Sequence, residues 1–256
     1  MKILLAIPSY NCEKQIVRVL TSVFEKADLL EKLSEIIVFD NQSTDQTLEV
    51  AKSWANEHDT QNKLKVVKNY ENYGLGGTHK VAFQYAKINS FSYVLIVHGD
   101  NQANPAEATE LISLAEGRNE TLHILGSRFM GGSRLHGYSL TRRLGNVALN
   151  LVYSLLTGRR IYDLGSGLNL FAVNAFDLER ILTFDDGFTF NMDLLLDIVK
   201  FNQSFKYFPI SWKTEDEISN ARALSVGIRT LKKILLWRLG VIPSRILKEQ
   251  YKVPIL

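Results

Sequence analysis

Asp100 closes an apolar run and is followed two positions later by Gln102, in the order Val97-His98-Gly99-Asp100-Asn101-Gln102. A carboxylate and an amide oxygen at that spacing on an extended turn can face one hard cation, Mg2+ or Mn2+, and leave positions open for two phosphate oxygens. Such an ion would neutralise charge building on a departing diphosphate. The other use of an aspartate here is to shape the turn or cap the helix that opens after Pro105.

Asp40 and Asp45 bracket a second polar loop, Asp40-Asn41-Gln42-Ser43-Thr44-Asp45. Asp40 is positioned to accept hydrogen bonds from a base edge or ribose hydroxyls, and Asp45 or Thr44 to cap the next helix. The turn Gly74-Leu75-Gly76-Gly77 follows the third apolar run rather than the first, and His79 stands where a dinucleotide fingerprint has its last glycine, which argues against a Rossmann dehydrogenase. Gly76 then either lets backbone approach a ligand or opens a helix. Arg128, Arg134, Arg142 and Arg143 gather positive charge in a glycine-containing stretch, and guanidinium groups suit phosphate by bidentate geometry. The five histidines, at 58, 79, 98, 123 and 136, have no zinc-ligand spacing.

The elements that must position these residues are legible as apolar runs. Residues 2–7, 36–39, 64–67 and 93–97 read as buried strands, each followed by a polar cluster and then by apolar residues at helical spacing, as in Ile16, Val19, Leu20 and Val23. That alternation predicts a mainly parallel sheet covered on both faces, with ligands at the carboxyl ends of the strands. Further strands are expected at 122–125 and 168–173, and helices up to about Leu156 and over 192–199. The first part reads as a nucleotide-binding half and the second as an acceptor-binding half of one domain.

With 256 residues and 46% hydrophobic content the chain can bury a substantial core. A net charge of +3 gives no warrant for a nucleic-acid binder. The lone Cys12 fits a reducing, cytoplasmic setting, and no stretch reaches membrane-spanning length without a charge. From Arg222 to Lys248 the chain carries seven basic residues, and Ile228, Leu231, Leu235, Leu239 and Ile242 recur at helical spacing. Such a tail would lie on an anionic membrane surface from the cytoplasmic side, or pack against protein.

Taken in order, these stretches resemble the family 2 glycosyltransferases of GT-A fold, in the style of the dolichyl- and polyprenyl-phosphate mannose or glucose synthases. Pro8-Ser9-Tyr10-Asn11 is similar to their opening Pro-x-Tyr-Asn, the 40–45 loop to Asp-Asp-Gly-Ser-x-Asp, residues 72–77 to the Asn-x-Gly turn, and 98–102 to the Asp-x-Asp-x-Gln metal loop. Gly126-Ser127-Arg128, Arg142 with Asn146, and 163–171 resemble acceptor-side motifs. The resemblance implies a GT-A domain over 1–221, an extra tail over 222–256, and inverting transfer from a nucleotide-diphosphate sugar. Pro8, Tyr10, Asn11, Asp40, Gly76 and Asp100 would serve the donor, Asp100 and Gln102 the metal, and Arg128 and Arg142 an acceptor phosphate. The chain departs from the pattern where His98 replaces the first metal-loop Asp, Asn41 replaces an Asp, and 213–220 replaces a basic closing motif.

The acceptor decides whether a base is needed. A polyprenyl phosphate is already a dianion near neutral pH, whereas a sugar hydroxyl in a surface polysaccharide requires a general base. Asp193, at a helix start, is the first candidate for that base and Asp216 the second; a supporting helix-terminal acid is the plainer role. A sugar nucleotidyltransferase would need a Gly- and Arg-rich loop after the first strand, where this chain has Pro8-Ser9-Tyr10-Asn11. A non-catalytic nucleotide-sugar binder is the remaining reading.

Overall fold

The computed structural model describes residues 1–117, 121–214, 223–241 and 251–254. Strand β1 (Ile3–Ser9) is buried at every position. Its alternate side chains enter two separate cores, Ile3, Leu5 and Ile7 on one face of the sheet and Leu4 and Ala6 on the other, the two-residue period of a strand covered on both sides.

In chain order there follow α1 (Glu13–Phe24), α2 (Ala27–Lys32), β2 (Glu35–Asp40), α3 (Thr47–His58), β3 (Leu64–Lys68), α4 (Gly74–Ile88), β4 (Tyr93–Val97) and α5 (Ala108–Ala115). Then come β5 (Leu122–Ser127), β6 (Arg134–His136), α6 (Leu140–Thr157), β7 (Leu168–Ala172), α7 (Leu178–Leu182), α8 (Phe190–Lys200), β8 (Ser204–Pro209), β9 (Ser211–Lys213) and α9 (Ala223–Arg238). Side chains of α1, α2, α3 and α5 fill the core on one face, and those of α4, α6, α7, α8 and α9 fill the core on the other.

Seven strands form one sheet in the order β3-β2-β1-β4-β7-β5-β8, and β6 pairs with β9 beside it. Within the seven, only β7 runs against its neighbours, pairing antiparallel with both β4 and β5. The expected mainly parallel sheet is therefore present. The edge strand β8, which carries Lys206 and ends at Pro209, has no unbroken apolar run to announce it.

Helix α9 and Tyr251 pack against this body. Thr230 and Ile234 of α9 are buried, Tyr153 of α6 donates to the Thr230 carbonyl at 2.9 Å, and Tyr251 is buried in the second core. Ile242, Arg245 and Lys248 lie outside the described residues.

Candidate active site

The sheet order creates the site. From β1 the chain moves to β2 on one side, and after β3 it crosses by α4 to β4 on the other side of β1. Loops leaving the carboxyl ends of β1 and β4 thus part in opposite directions, which opens a crevice at the place where α/β sheets bind ligands. A cleft of about 850 Å³ occupies it, within the range of small-molecule pockets. Pro8, Tyr10, Asn11, Asp100, Gln102 and Arg142 all line it.

Asn11, at φ 50°, turns the chain sharply after β1. Its backbone N–H donates to Ser43 Oγ at 3.0 Å and its side-chain oxygen accepts from Thr44 N at 2.8 Å, locking the first loop to the second. Asp40 lies beneath that contact, fully buried and not among the lining residues. One of its oxygens accepts from Ser43 N at 3.2 Å, and the other is buried with no hydrogen-bond partner. Asn41 ties this loop to the start of α4, its amide oxygen accepting from Tyr73 N at 2.9 Å and its amide nitrogen donating to Asn72 at 2.9 Å. Asp45 accepts from Glu13 N at 3.1 Å and Thr47 N at 3.0 Å, satisfying the first turns of both α1 and α3.

On the β4 side, Asp100 accepts from Gln102 N at 3.2 Å in a tight turn, with Asn101 at φ 57°. Gly99 is required by close approach, since a Cβ there would stand 2.3 Å from Ser9 Oγ. His98 does not act as a second acid: its Nε2 is 3.2 Å from Nε2 of the buried His79, so one ring must donate and the other accept. Burial pushes both imidazoles below their ordinary range, and the neighbouring His98 pushes His79 further. Among the described residues no three His, Cys, Asp or Glu side chains group to hold an ion. One carboxylate and one amide nevertheless suit a cation that takes its other ligands from phosphate and water.

Arg142 reaches the cleft from the first turn of α6, which Ser139 caps by accepting from Arg142 N at 3.3 Å. Among the described residues it makes no ion pair. Its guanidinium lies 5.1 Å from the centre of the Tyr138 ring. Arg128, by contrast, is committed to Asp163: Nε and Nη2 each donate at 2.8 Å, and Arg128 N donates to the same carboxylate at 2.9 Å. Asp193 is likewise engaged, ion-paired with Lys233 of α9 and accepting from Asp185 N at 2.9 Å. Gly76 packs against the 185–190 segment, donating to the Asp186 carbonyl at 2.8 Å, and a Cβ on it would stand 2.3 Å from the Asp185 carbonyl oxygen. Asp40, Gly76, Arg128 and Asp193 therefore surround the cleft without lining it. Asp216 lies outside the described residues.

Sequence reasoning did not pick out the wall formed by Gly187 and Phe188, which line the cleft together with the 8–15 segment. Behind this wall Lys80, only 1% exposed, donates to Asp186 Oδ1 at 2.7 Å, to the Phe184 carbonyl at 2.6 Å and to Tyr251 OH at 3.0 Å. No local pattern links residues 80, 186 and 251; a lysine in the middle of the apolar face of α4 was the available signal.

Comparison with known proteins gives the family and the fold. A family model described as glycosyl transferase family 2 matches residues 5–191. The UDP-N-acetylglucosamine–dolichyl-phosphate N-acetylglucosaminyltransferase of Methanococcus voltae is 25% identical over 182 residues, 68% of this chain and 70% of that protein. The undecaprenyl-phosphate mannosyltransferase of Micrococcus luteus is 22% identical over 231 residues, 89% of each. Among solved structures, glucosyl-3-phosphoglycerate synthase of Mycobacterium tuberculosis aligns with a TM-score of 0.66 at 18% identity, covering 95% of this chain and 82% of that one. At that identity the likeness speaks to the fold, which is GT-A.

Proposed function

We propose, from the premise that the chain belongs to glycosyl transferase family 2, that it moves a sugar from a nucleotide-diphosphate donor to a polyprenyl phosphate with inversion at the anomeric carbon. The observation that carries this reading is a cleft lined together by Asp100, Gln102 and an arginine, Arg142, that has no ion-pair partner among the described residues. The named transferases of Methanococcus voltae and Micrococcus luteus, whose names specify dolichyl and undecaprenyl phosphate, support the same acceptor class.

In this reading Pro8, Tyr10 and Asn11 shape the nucleoside end, and the unpartnered oxygen of Asp40 supplies an acceptor for a base or ribose donor once the loop admits one. Asp100 and Gln102 would hold Mg2+ or Mn2+, which would neutralise the departing diphosphate. Arg142 orients the acceptor phosphate for in-line attack: a phosphate oxygen bonds to the anomeric carbon as the bond to the diphosphate breaks. Arg128, held by Asp163, keeps the loop after β5 in place rather than meeting substrate. A phosphate nucleophile needs no base, and Asp193, occupied by Lys233, has none of the freedom a hydroxyl acceptor would require.

The test is transfer from a panel of nucleotide sugars to a short-chain polyprenyl phosphate with Mn2+ or Mg2+. Arg142→Ala is expected to lower transfer by about a hundredfold while nucleoside diphosphate with Mn2+ still raises the melting temperature. Full activity without Arg142, or a product joined through a sugar hydroxyl, would exclude this acceptor.

A further inference from the structure

Five apolar side chains of α6, Leu140, Leu144, Val147, Leu151 and Leu155, are exposed, Leu155 to 74%. Their steps of four, three, four and four residues align them in one stripe along the helix. This is not the packing face, on which Asn150 and Tyr153 are buried. The neighbouring α9 repeats the arrangement: Ile228, Leu231, Leu235 and, just past its end, Leu239 are exposed, while Thr230 and Ile234 are buried. Neither helix contains an acidic residue. Arg142 and Arg143 stand on α6, and Arg229, Lys232, Lys233 and Arg238 on α9, of which Lys233 is paired with Asp193.

We propose that α6 and α9 together form a docking face for an anionic lipid surface. The two apolar stripes enter the boundary between headgroups and acyl chains, and Arg143, Arg229, Lys232 and Arg238 meet the headgroups. Charge selects this occupant over a second copy of the chain, which would bring cations against cations along the same stripes. The arrangement has a direct consequence for geometry. Arg142 lies on the same helix as the α6 stripe, so docking would hold the mouth of the cleft at the bilayer surface. The inference rests on the surface alone and stands or falls apart from the donor and acceptor proposed above.

The experiment is flotation of the purified full chain with vesicles of phosphatidylcholine, alone or mixed with phosphatidylglycerol. The wild type is expected to float with the anionic vesicles and to be released by high salt. Each leucine replaced in L144Q/L151Q or L235Q/L239Q should weaken partitioning by about tenfold, with the thermal melt unchanged because these side chains are exposed. No flotation with anionic vesicles, or equal flotation of the variants, would overturn the proposal. So would a wild-type dimer in sedimentation velocity that L144Q/L151Q dissolves, since it would assign the face to a second copy. Transfer to a water-soluble prenyl phosphate without vesicles should be unaltered in L144Q/L151Q. If the wild type floats and yet performs no such transfer, the proposed acceptor is lost and the docking face stands.

Discussion

Removing the charge of Asp163 while keeping its shape, as Asp163→Asn, should expose how the loop after β5 is held. Asp163 is 1% exposed and Arg128 13%, and the carboxylate receives two guanidinium bonds at 2.8 Å together with Arg128 N at 2.9 Å. The guanidinium also donates to the Gly165 carbonyl at 2.9 Å and lies 4.8 Å from the Trp212 ring. Burying a cation without its counter-charge costs about 3–5 kcal/mol, a large part of the roughly 5–15 kcal/mol that stabilises a typical domain. For a chain of this size that is about 10 °C in melting temperature. Arg128→Met should cost less, because the carboxylate keeps its backbone donors. The double variant, which leaves no charge buried, should be about 2–3 kcal/mol more stable than the two single losses added together. Urea denaturation of the four proteins measures that coupling. Additivity within about 0.5 kcal/mol would refute the buried pair. A stable double variant that has lost all transfer would instead return Arg128 to the reacting phosphate.

Acidification should weaken the fold through His123, which is fully buried and held neutral; burial lowers its pKa from 6.5 to about 4. Between those values the unfolded chain binds the extra proton, so the contribution is complete above pH 6.5 and is lost as pH falls through about 4, up to about 3 kcal/mol. Urea midpoints at pH 7 and pH 5 should show the drop, and it should be shallower in His123→Asn. Cys12, whose thiol burial pushes up to about 12, should resist iodoacetamide at pH 8 in the folded protein and react fully once unfolded; rapid labelling of the native state would contradict its burial. Gly99→Ala should displace the Asp100 turn, because the new methyl would meet Ser9 Oγ at 2.3 Å and, even with that hydroxyl rotated away, would still crowd Cys12 Sγ at 3.1 Å and Ser9 Cβ at 3.2 Å. The expected result is loss of the thermal shift produced by nucleoside diphosphate with Mn2+. Tyr251→Phe removes a hydroxyl that accepts from Lys80 and donates to Asp186, and should cost about 1–2 kcal/mol in urea denaturation.

The layered fold was legible because buried parallel strands are continuous apolar runs, and 2–7, 36–39, 64–67 and 93–97 all fall within observed strands or one residue beyond. The direction of β7 was not legible, since the apolar run of a strand reads the same both ways; its reversal emerges only from its pairing with β4 and β5. The same limit separates the site residues. Pro8, Tyr10 and Asn11 lie around the end of β1, and Asp100 and Gln102 in the loop that follows β4, where topology alone delivers them to one crevice. Arg128 and Asp193 were judged by type, yet their behaviour depends on Asp163 and Lys233, partners 35 and 40 positions away that no local spacing announces. The stripe on α6 was present in the sequence as leucines at helical spacing, but whether such a stripe faces core or solvent is decided by what packs on the other side.

The join of Lys80 to Asp186 and Tyr251 also sets an order of assembly. During synthesis the amine on α4 is made long before its acid, 106 positions later, and its phenol, 171 positions later. A nascent chain carrying every strand of the sheet but not yet Tyr251 would lack the hydroxyl that accepts from Lys80 and donates to Asp186. The wall bearing Gly187 and Phe188 should therefore set last, and ribosome-stalled chains ending before residue 251 should be cut by protease in the 184–188 segment while the rest of the domain resists.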